Sequence, residues 1–401
     1  MKKFIKVLLV SLVVLSLTAC GANEDTEKEG ETGQTYNLKV WGSQEDQALL
    51  GELVEEFKAL DPDNTYNIEI AVVGEPDALD QVTGDIETAA DVFAFPNDQL
   101  RDFVAAGALY EITLNKDKII SEQMEGAIDS ATLDGALYGI PFTADNGYFL
   151  YYDSNFFSAD DVKSLESMLA KAEAEGKQVF MDVSNGWYIA SFFLGAGNTI
   201  KIEDGKQVVD FNNDRGVAVG EFIAKFVSSS AFLTGDDAVM TSAAKDGKVK
   251  AAVSGVWTAA DFEEAFGDGY AATKLPTFNI NGEDVQMGSF GGYKLYGVKS
   301  QTKHPEQAMA LAEFLANEEN QVRRYEVRSY GPSNLKAAAN EKVQENVALR
   351  GFSEQSVYAH PQNDVLGSYW SPAEAFGTEL ESGNTSNVKA LLDEMVAQIM
   401  Q

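Results

Sequence analysis

The chain predicts an α/β protein built as two lobes, and three observations carry that expectation. Its 401 residues exceed the roughly 250–300 at which a single hydrophobic core stops growing. Strand-like and helix-like segments alternate from the start of the folded part, the order of a mostly parallel sheet with right-handed crossovers. Apolar residues make up 45% of the chain and cysteine occurs once. No disulfide is therefore available, and hydrophobic cores alone must hold the fold.

The N-terminus sets the expected location. Lys2, Lys3 and Lys6 precede the apolar run Val7 to Leu17, which is shorter than the roughly 20 residues a membrane-spanning helix needs. Residues 1–19 read as a secretory signal peptide, to be left out of fold reasoning. The alternative for its end is an ordinary signal with a chance cysteine. Yet Leu17-Thr18-Ala19-Cys20 places the sole cysteine directly after small residues, which resembles the bacterial lipobox. That resemblance implies lipidation of Cys20, with two acyl chains (palmitate among the usual ones) sufficient for stable anchoring. The mature protein is then expected outside the cytoplasm, lipid-anchored to the outer face of the bacterial cell membrane. Residues 20–35 continue with Asn, Glu, Asp, Thr, Gly and Lys. Such a tether cannot bury enough surface to offset its ordering entropy.

Element by element, Asn37 to Trp41 reads as a strand. Leu49, Leu50, Leu53, Val54, Phe57 and Leu60 recur at helical spacing and end at Asp61-Pro62, where proline stops the helix. Ile68 to Val73 and Asp91 to Phe95 read as the next strands, with a short helix between them. Asp161 to Ala174 looks helical, Gln178 to Asp182 extended, Gly216 to Val227 helical and Val249 to Val253 extended. Pro305 to Ala316 carries proline in its first turn, as helices tolerate. Val388 to Met400 closes the chain with Leu391, Leu392, Met395 and Ile399 as its apolar stripe. In parallel sheets of this kind ligands sit beyond the carboxyl ends of the strands.

Charge narrows the possible partners. The formal net charge is −33, from 30 Lys+Arg against 63 Asp+Glu, which disfavours nucleic acid and anionic lipid surfaces. Among the few arginines, Arg323, Arg324 and Arg328 fall in one helical stretch. No convergent Arg or Lys clamp for a phosphorylated or carboxylated ligand is visible, so the balance leans toward neutral ligands.

Enzyme chemistry finds few candidates. His304 and His360 are the two histidines, and no G-x-S-x-G elbow accompanies either. No His/Cys cluster has metal spacing and no phosphate-binding loop occurs, so neither metal nor cofactor is expected. A surface glycosidase using two of the many carboxylates is the competing class, because sequence gives no separation between them.

The four tryptophans carry the strongest local signal. Trp41 ends the first strand, and Trp257 follows the strand at Val253 through Ser254-Gly255-Val256. Trp187-Tyr188 follows another strand through Val183-Ser184-Asn185-Gly186, and Trp370 stands beside Tyr369 in a turn closed by Ser371-Pro372. Any one of them could be core packing. Four at element ends beside Gly or Ser suit a different use, because the axial C–H face of a sugar ring lies well on a rigid aromatic surface. The ring hydroxyls then need partners, since a buried unpaired hydroxyl costs roughly 1–3 kcal/mol. Glu45, Asp46, Asp98 and Asp145 stand in adjoining loops as acceptors.

With these residues in view the chain resembles the maltose/maltodextrin-binding proteins, extracellular solute-binding proteins of carbohydrate ABC importers. The likeness runs from about Tyr36 to Gln401. It rests on Leu38-Lys39-Val40-Trp41, Asp91-Val92-Phe93-Ala94-Phe95 with Asp98, and Tyr138-Gly139-Ile140-Pro141-Phe142. It continues through Val253-Ser254-Gly255-Val256-Trp257, Lys274-Leu275-Pro276-Thr277-Phe278 and Ser368-Tyr369-Trp370. The resemblance implies a periplasmic-binding-protein fold with a multi-strand hinge and a cleft between two discontinuous lobes. By position the N-terminal lobe is 36–143 plus 291–345, the C-terminal lobe 146–286 plus 346–401, and the hinge lies near 144–146, 287–290 and 345. The implied stacking residues are Phe95, Trp187 with Tyr188, Trp257 and Trp370, and the implied hydroxyl acceptors Asp98, Asp145 and Glu45 or Asp46. Trp41 matches a position that packs at the strand end. A monomer delivering a maltodextrin-type oligosaccharide to ABC permease transmembrane subunits is implied, reaching the membrane only through its lipid anchor. Phe95, Gln99, Asp145 and Gly186-Trp187 depart from the enteric pattern, which opens the ligand to cyclodextrin or another neutral oligosaccharide.

Overall fold

The computed structural model describes residues 33–401. The expected signal segment, Cys20 and most of the tether lie outside the described residues. Thr35, placed in the tether by its polar neighbourhood, opens the first strand instead. Two bonds draw it in: the Gln34 N–H donates to Asn64 Oδ1 at 2.7 Å, and the Thr65 N–H donates to the Gln34 carbonyl at 2.8 Å.

Strand Thr35–Gly42 pairs in parallel with Thr65–Val72 and with Val92–Pro96. Its exposure falls toward the carboxyl end, where Leu38, Val40 and Trp41 enter the core. Helix Gln47–Ala59 lays Leu49, Leu50, Leu53, Val54 and Phe57 against the sheet and stops before Asp61-Pro62, as the spacing predicts. The six-stranded sheet is mixed, because Ser289–Val298 enters it antiparallel to both Val92–Pro96 and Ile140–Gly147.

A second sheet of five strands runs in the order Phe232–Leu233, Gln178–Phe180, Val249–Ser254, Phe149–Asp153 and Tyr270–Thr273. The first three are parallel, and Phe149–Asp153 is antiparallel to both its neighbours. Each sheet has its own core. One buried cluster draws on residues 38–142 and 295–316. Another draws on 148–290 and 365–399. A third, centred on Phe149, Tyr151, Phe262 and Tyr330, also packs around the second sheet. The lobes are thus discontinuous in sequence. Ile140–Gly147 ends in the first sheet one residue before Phe149–Asp153 begins in the second.

Three local expectations change. The helix over 161–174 breaks at Ser164, which is extended (φ −129°, ψ 131°) and caps the helix Leu165–Ala174 by accepting from the Ser167 N–H. The strand at Gln178 ends at Phe180. Trp370 opens helix Trp370–Glu381 rather than sitting in a turn. Pro372 is tolerated there because a first-turn N–H has no intrahelical partner to lose.

In the first lobe, helix Glu318–Arg328 carries Arg324 into the interior. Its guanidinium holds the buried Asp46 carboxylate, with Nη2 to Oδ2 at 3.0 Å, and donates to Tyr296 Oη at 2.9 Å and the Leu315 carbonyl at 3.2 Å. It also lies 5.0 Å from the Phe142 ring centre. Removing one partner of such a pair strands the other charge in the interior. Arg324→Met is therefore expected to cost about 3–5 kcal/mol in urea unfolding, and combining it with Asp46→Leu should restore most of that loss. A single variant as stable as the parent would refute this account.

Candidate ligand-binding cleft

The carboxyl end of the strand Val249–Ser254 is followed by Gly255. A β-carbon there would lie 1.9 Å from the Trp257 ring, so glycine is what lets the indole fold over the chain. The Trp257 indole Nε1–H donates to Asp237 Oδ2 at 2.9 Å. Trp187 is the second residue of helix Gly186–Gly195, whose N-cap Asn185 accepts from the Trp187 N–H at 2.9 Å. The Tyr148 hydroxyl donates to the Trp187 carbonyl at 2.8 Å. A β-carbon on Gly186 would stand 3.1 Å from the Trp370 carbonyl oxygen, so this helix start is packed directly on the start of Trp370–Glu381. The sequence signals of Trp187, Trp257 and Trp370 thus meet at one end of the second lobe.

Trp187 and Trp257 have ring centres 5.9 Å apart with planes tilted by 36°, and both are half-buried. Tyr188 is buried behind them, 5.2 Å from Trp187. Trp370 is half-buried and packs on Phe290 at 5.8 Å. Trp41 lies elsewhere, buried in the first core 6.4 Å from Phe93.

The first lobe and the crossing strand bring the acids. Asp98 lies in the turn after Val92–Pro96, and its Oδ1 accepts from Gln362 Nε2 at 2.6 Å. Burial pushes its carboxyl up to about 7, opposed by the Gln362 bond and aided by the nearby Asp102. Asp145 lies on Ile140–Gly147 and accepts from the Gly331 N–H. Burial pushes it up to about 6, against the pull of Lys294 and that N–H. Glu45 is exposed and close enough to Asp237 of the second lobe to help raise its pKa, where burial is the larger cause.

Two expected site residues are placed otherwise. Phe95 is fully buried, with its ring 4.9 Å from Phe103 and 5.9 Å from Phe93, so it supports the wall from within the core. The Asp46 carboxylate is engaged by Arg324, whereas Glu45 at the same turn is exposed.

Sequence reasoning missed the cationic wall. Lys294 is buried with Nζ 3.7 Å from Glu75, 4.9 Å from the Tyr330 ring centre and 5.6 Å from that of Trp257. Burial disfavours its charge, but Glu75, Tyr330, Asp145 and Asp46 outweigh that and raise its pKa. Arg328 packs over Tyr330 at 5.4 Å, with Nε and Nη2 buried and unpartnered within the described residues. The arginine stretch was visible in the sequence. Nothing in it said that Lys294 and Tyr330, from two other segments, would join.

The cleft offers half-buried aromatic faces on one side and buried carboxyl and cationic groups on the other. Chemically, that combination suits a ligand with a flat apolar face and a rim of hydroxyls.

A family model described as bacterial extracellular solute-binding protein matches residues 52–351. Over 411 aligned residues the chain is 29% identical to the galactooligosaccharide-binding protein of Bacillus subtilis, covering 97% of this chain and 95% of that protein. It is 24% identical to the maltodextrin-binding protein MdxE of the same organism, covering 96% and 94%. A solved structure described as being with acarbose superposes with a TM-score of 0.84 at 31% identity, covering 91% of this chain and 99% of that one.

The raised carboxyls make ligand-free stability depend on pH. A carboxyl whose folded pKa exceeds its unfolded value contributes stability at low pH that is lost as pH rises through the folded pKa. For Asp98 that window runs from about the ordinary carboxylate range up to about 7. His360, whose pKa burial lowers, works in the opposite sense, so the difference between variants is the informative quantity. Between pH 5 and pH 8 the parent should lose at least about 1 kcal/mol more than Asp98→Asn in urea unfolding. Parallel profiles would refute the raised Asp98 carboxyl.

Proposed function

The chain belongs to the bacterial extracellular solute-binding protein family, and from that premise we propose that it captures a neutral oligosaccharide between its lobes. It then delivers the sugar to the transmembrane subunits of an ABC importer. The observation that carries this reading is the pair Trp187 and Trp257, 5.9 Å apart, set against Asp98 and Asp145. Trp187, Tyr188, Trp257 and Trp370 supply the stacking surface. Glu45, Asp98 and Asp145 accept sugar hydroxyls, and Phe95 and Asp46 hold the first-lobe wall from behind. The lobes close about the segments that join them, near 144–146, 287–290 and 345, with segments 36–143 plus 291–345 moving against 146–286 plus 346–401. A ligand can favour closure only by its preference for the closed form. The protein works as a monomer, held to the outer membrane face through Cys20.

The two relatives described above are named as binding proteins, one for galactooligosaccharide and one for maltodextrin, which supports capture over hydrolysis. The two names also divide the ligand question. Maltodextrin is the reading implied by the family resemblance, and galacto-oligosaccharide is the second reading, favoured by the higher identity of its namesake.

Calorimetric titration of residues 33–401 with maltotriose, a β-linked galactotriose and a cyclodextrin should show binding to at least one of them. Silence with all three refutes neutral-oligosaccharide capture. Trp257→Ala should weaken that binding by at least about 2 kcal/mol, roughly thirtyfold. Affinity should also rise from pH 5 to pH 8, because ionised carboxylates are the stronger acceptors and the groups concerned titrate at about 6 and about 7. A flat or falling profile would contradict acceptance by Asp98 and Asp145.

A further inference from the structure

Gln362 is a residue that neither the composition nor any motif singles out. It follows the short strand Ala359–Pro361, which pairs with the start of Ser289–Val298, and its side chain is 4% exposed. Its amide has three partners from three parts of the molecule. Nε2 donates to Asp98 Oδ1 at 2.6 Å. Oε1 accepts from the Trp187 indole Nε1–H at 3.2 Å and from Asn146 Nδ2 at 3.1 Å. The orientation of this amide is not ambiguous. An indole N–H can only donate, so the oxygen must face Trp187, which turns the nitrogen toward Asp98.

The surroundings leave room for this one group. A β-carbon on Gly292 would stand 3.3 Å from Gln362 Oε1 and 2.4 Å from Asn97 Oδ1. Asn97 Oδ1 accepts from the Tyr293 N–H at 2.8 Å, and its side-chain Nδ2 donates to Asn363 Oδ1, the residue after Gln362. Two consecutive side chains, Gln362 and Asn363, therefore join the turn bearing Asp98 to the segment that leads into the second lobe.

Resting on the oligosaccharide reading above, we propose that Gln362 is a positioning residue for the site. With the lobes closed as in this structure, it holds the Asp98 acceptor of the first lobe and the Trp187 platform of the second in one hydrogen-bonded frame, so that a sugar meets both at a set spacing. Being buried, it acts through these two residues rather than on the ligand. The carbonyl fixes the edge of the indole, and with it the plane presented for stacking. The amide hydrogen fixes which Asp98 oxygen stays free for a hydroxyl.

The test uses Gln362→Glu, which keeps the shape and the acceptor for Trp187 and Asn146 but replaces the donor facing Asp98 with a carboxyl. The charged and titratable groups around it are Asp98 and Asp102 from the first lobe, and His360 and Asp364 on its own segment, 3.8 Å apart. Two carboxyls in contact share a proton at low pH and repel once both ionise. The variant's affinity for the oligosaccharide identified by calorimetry should therefore fall at least tenfold from pH 5 to pH 8, opposite in sign to the parent. Adding Asp98→Asn supplies a donor from the other side and should abolish that fall. In ligand-free protein the variant's melting temperature should drop more steeply than the parent's over the same pH range, and the double variant should lose that excess. An affinity profile for Gln362→Glu that follows the parent overturns the proposal, as does a fall that survives in the double variant. A parent that binds none of the sugars refutes the oligosaccharide reading. The melting profiles then still decide whether Gln362 and Asp98 face each other as described.

Discussion

Strand Ser289–Val298 must satisfy its backbone groups against three different partners, and the placing of everything in the cleft follows from how it does so. Its first residues pair with Ala359–Pro361, and its later ones with Val92–Pro96 and Ile140–Gly147. No other described strand pairs with so many. Unpaired buried backbone groups are costly, so these registers are not negotiable. They fix Lys294 opposite Pro96 and Thr143, which puts its ammonium between Glu75 and Trp257. They also fix Ala359–Pro361 against the strand start, which brings Gln362 to Asp98. The glycines of this strand are part of the same constraint: side chains at 291, 292 and 297 would collide with Ala359, Asn97 and Leu109.

The net charge of −33 is a poor guide to the field inside the cleft. Its first-lobe wall alternates signs at close range, with Asp46 on Arg324 and Glu75 near Lys294. These pairs are desolvated, so their value lies less in net stability than in the severe cost of breaking one of them. They hold Tyr296, Tyr330 and Phe142 in place through cation contacts. The acidic surplus is carried largely by exposed surface, where solvent screens it.

How far the sequence could be read depended on whether the signal was local. Helix Gln47–Ala59 and helix Val388–Ile399 were legible because their apolar spacing is itself the packing instruction. Trp187, Trp257 and Trp370 were legible because glycine or a cap residue precedes or supports each at an element end. Ser164 was not, since its break depends on capping a helix that periodicity alone would start earlier. Phe95 and Asp46 carried the right residue types in the right neighbourhoods, yet their side chains are held by Phe103 and Arg324, partners that only tertiary packing supplies. Gln362, Lys294 and Tyr330 were illegible for the same reason. Their roles arise from three segments far apart in the chain meeting at the junction of the lobes.

That junction also explains how a site rich in carboxyls can suit an uncharged ligand. Burial pushes the Asp98 carboxyl up to about 7 and the Asp145 carboxyl up to about 6. Folding has thus removed part of the hydration that an exposed carboxylate would keep. On the proposed oligosaccharide reading, a sugar hydroxyl accepted there forms its hydrogen bond to the ionised form in a medium of low polarity, where such a bond is stronger. Such an arrangement needs its acceptors and aromatic faces set in advance, because a flexible site would forfeit the gain in ordering entropy. The hydrogen-bonded frame around Asp98, Gln362 and Trp187 is of the kind that sets them.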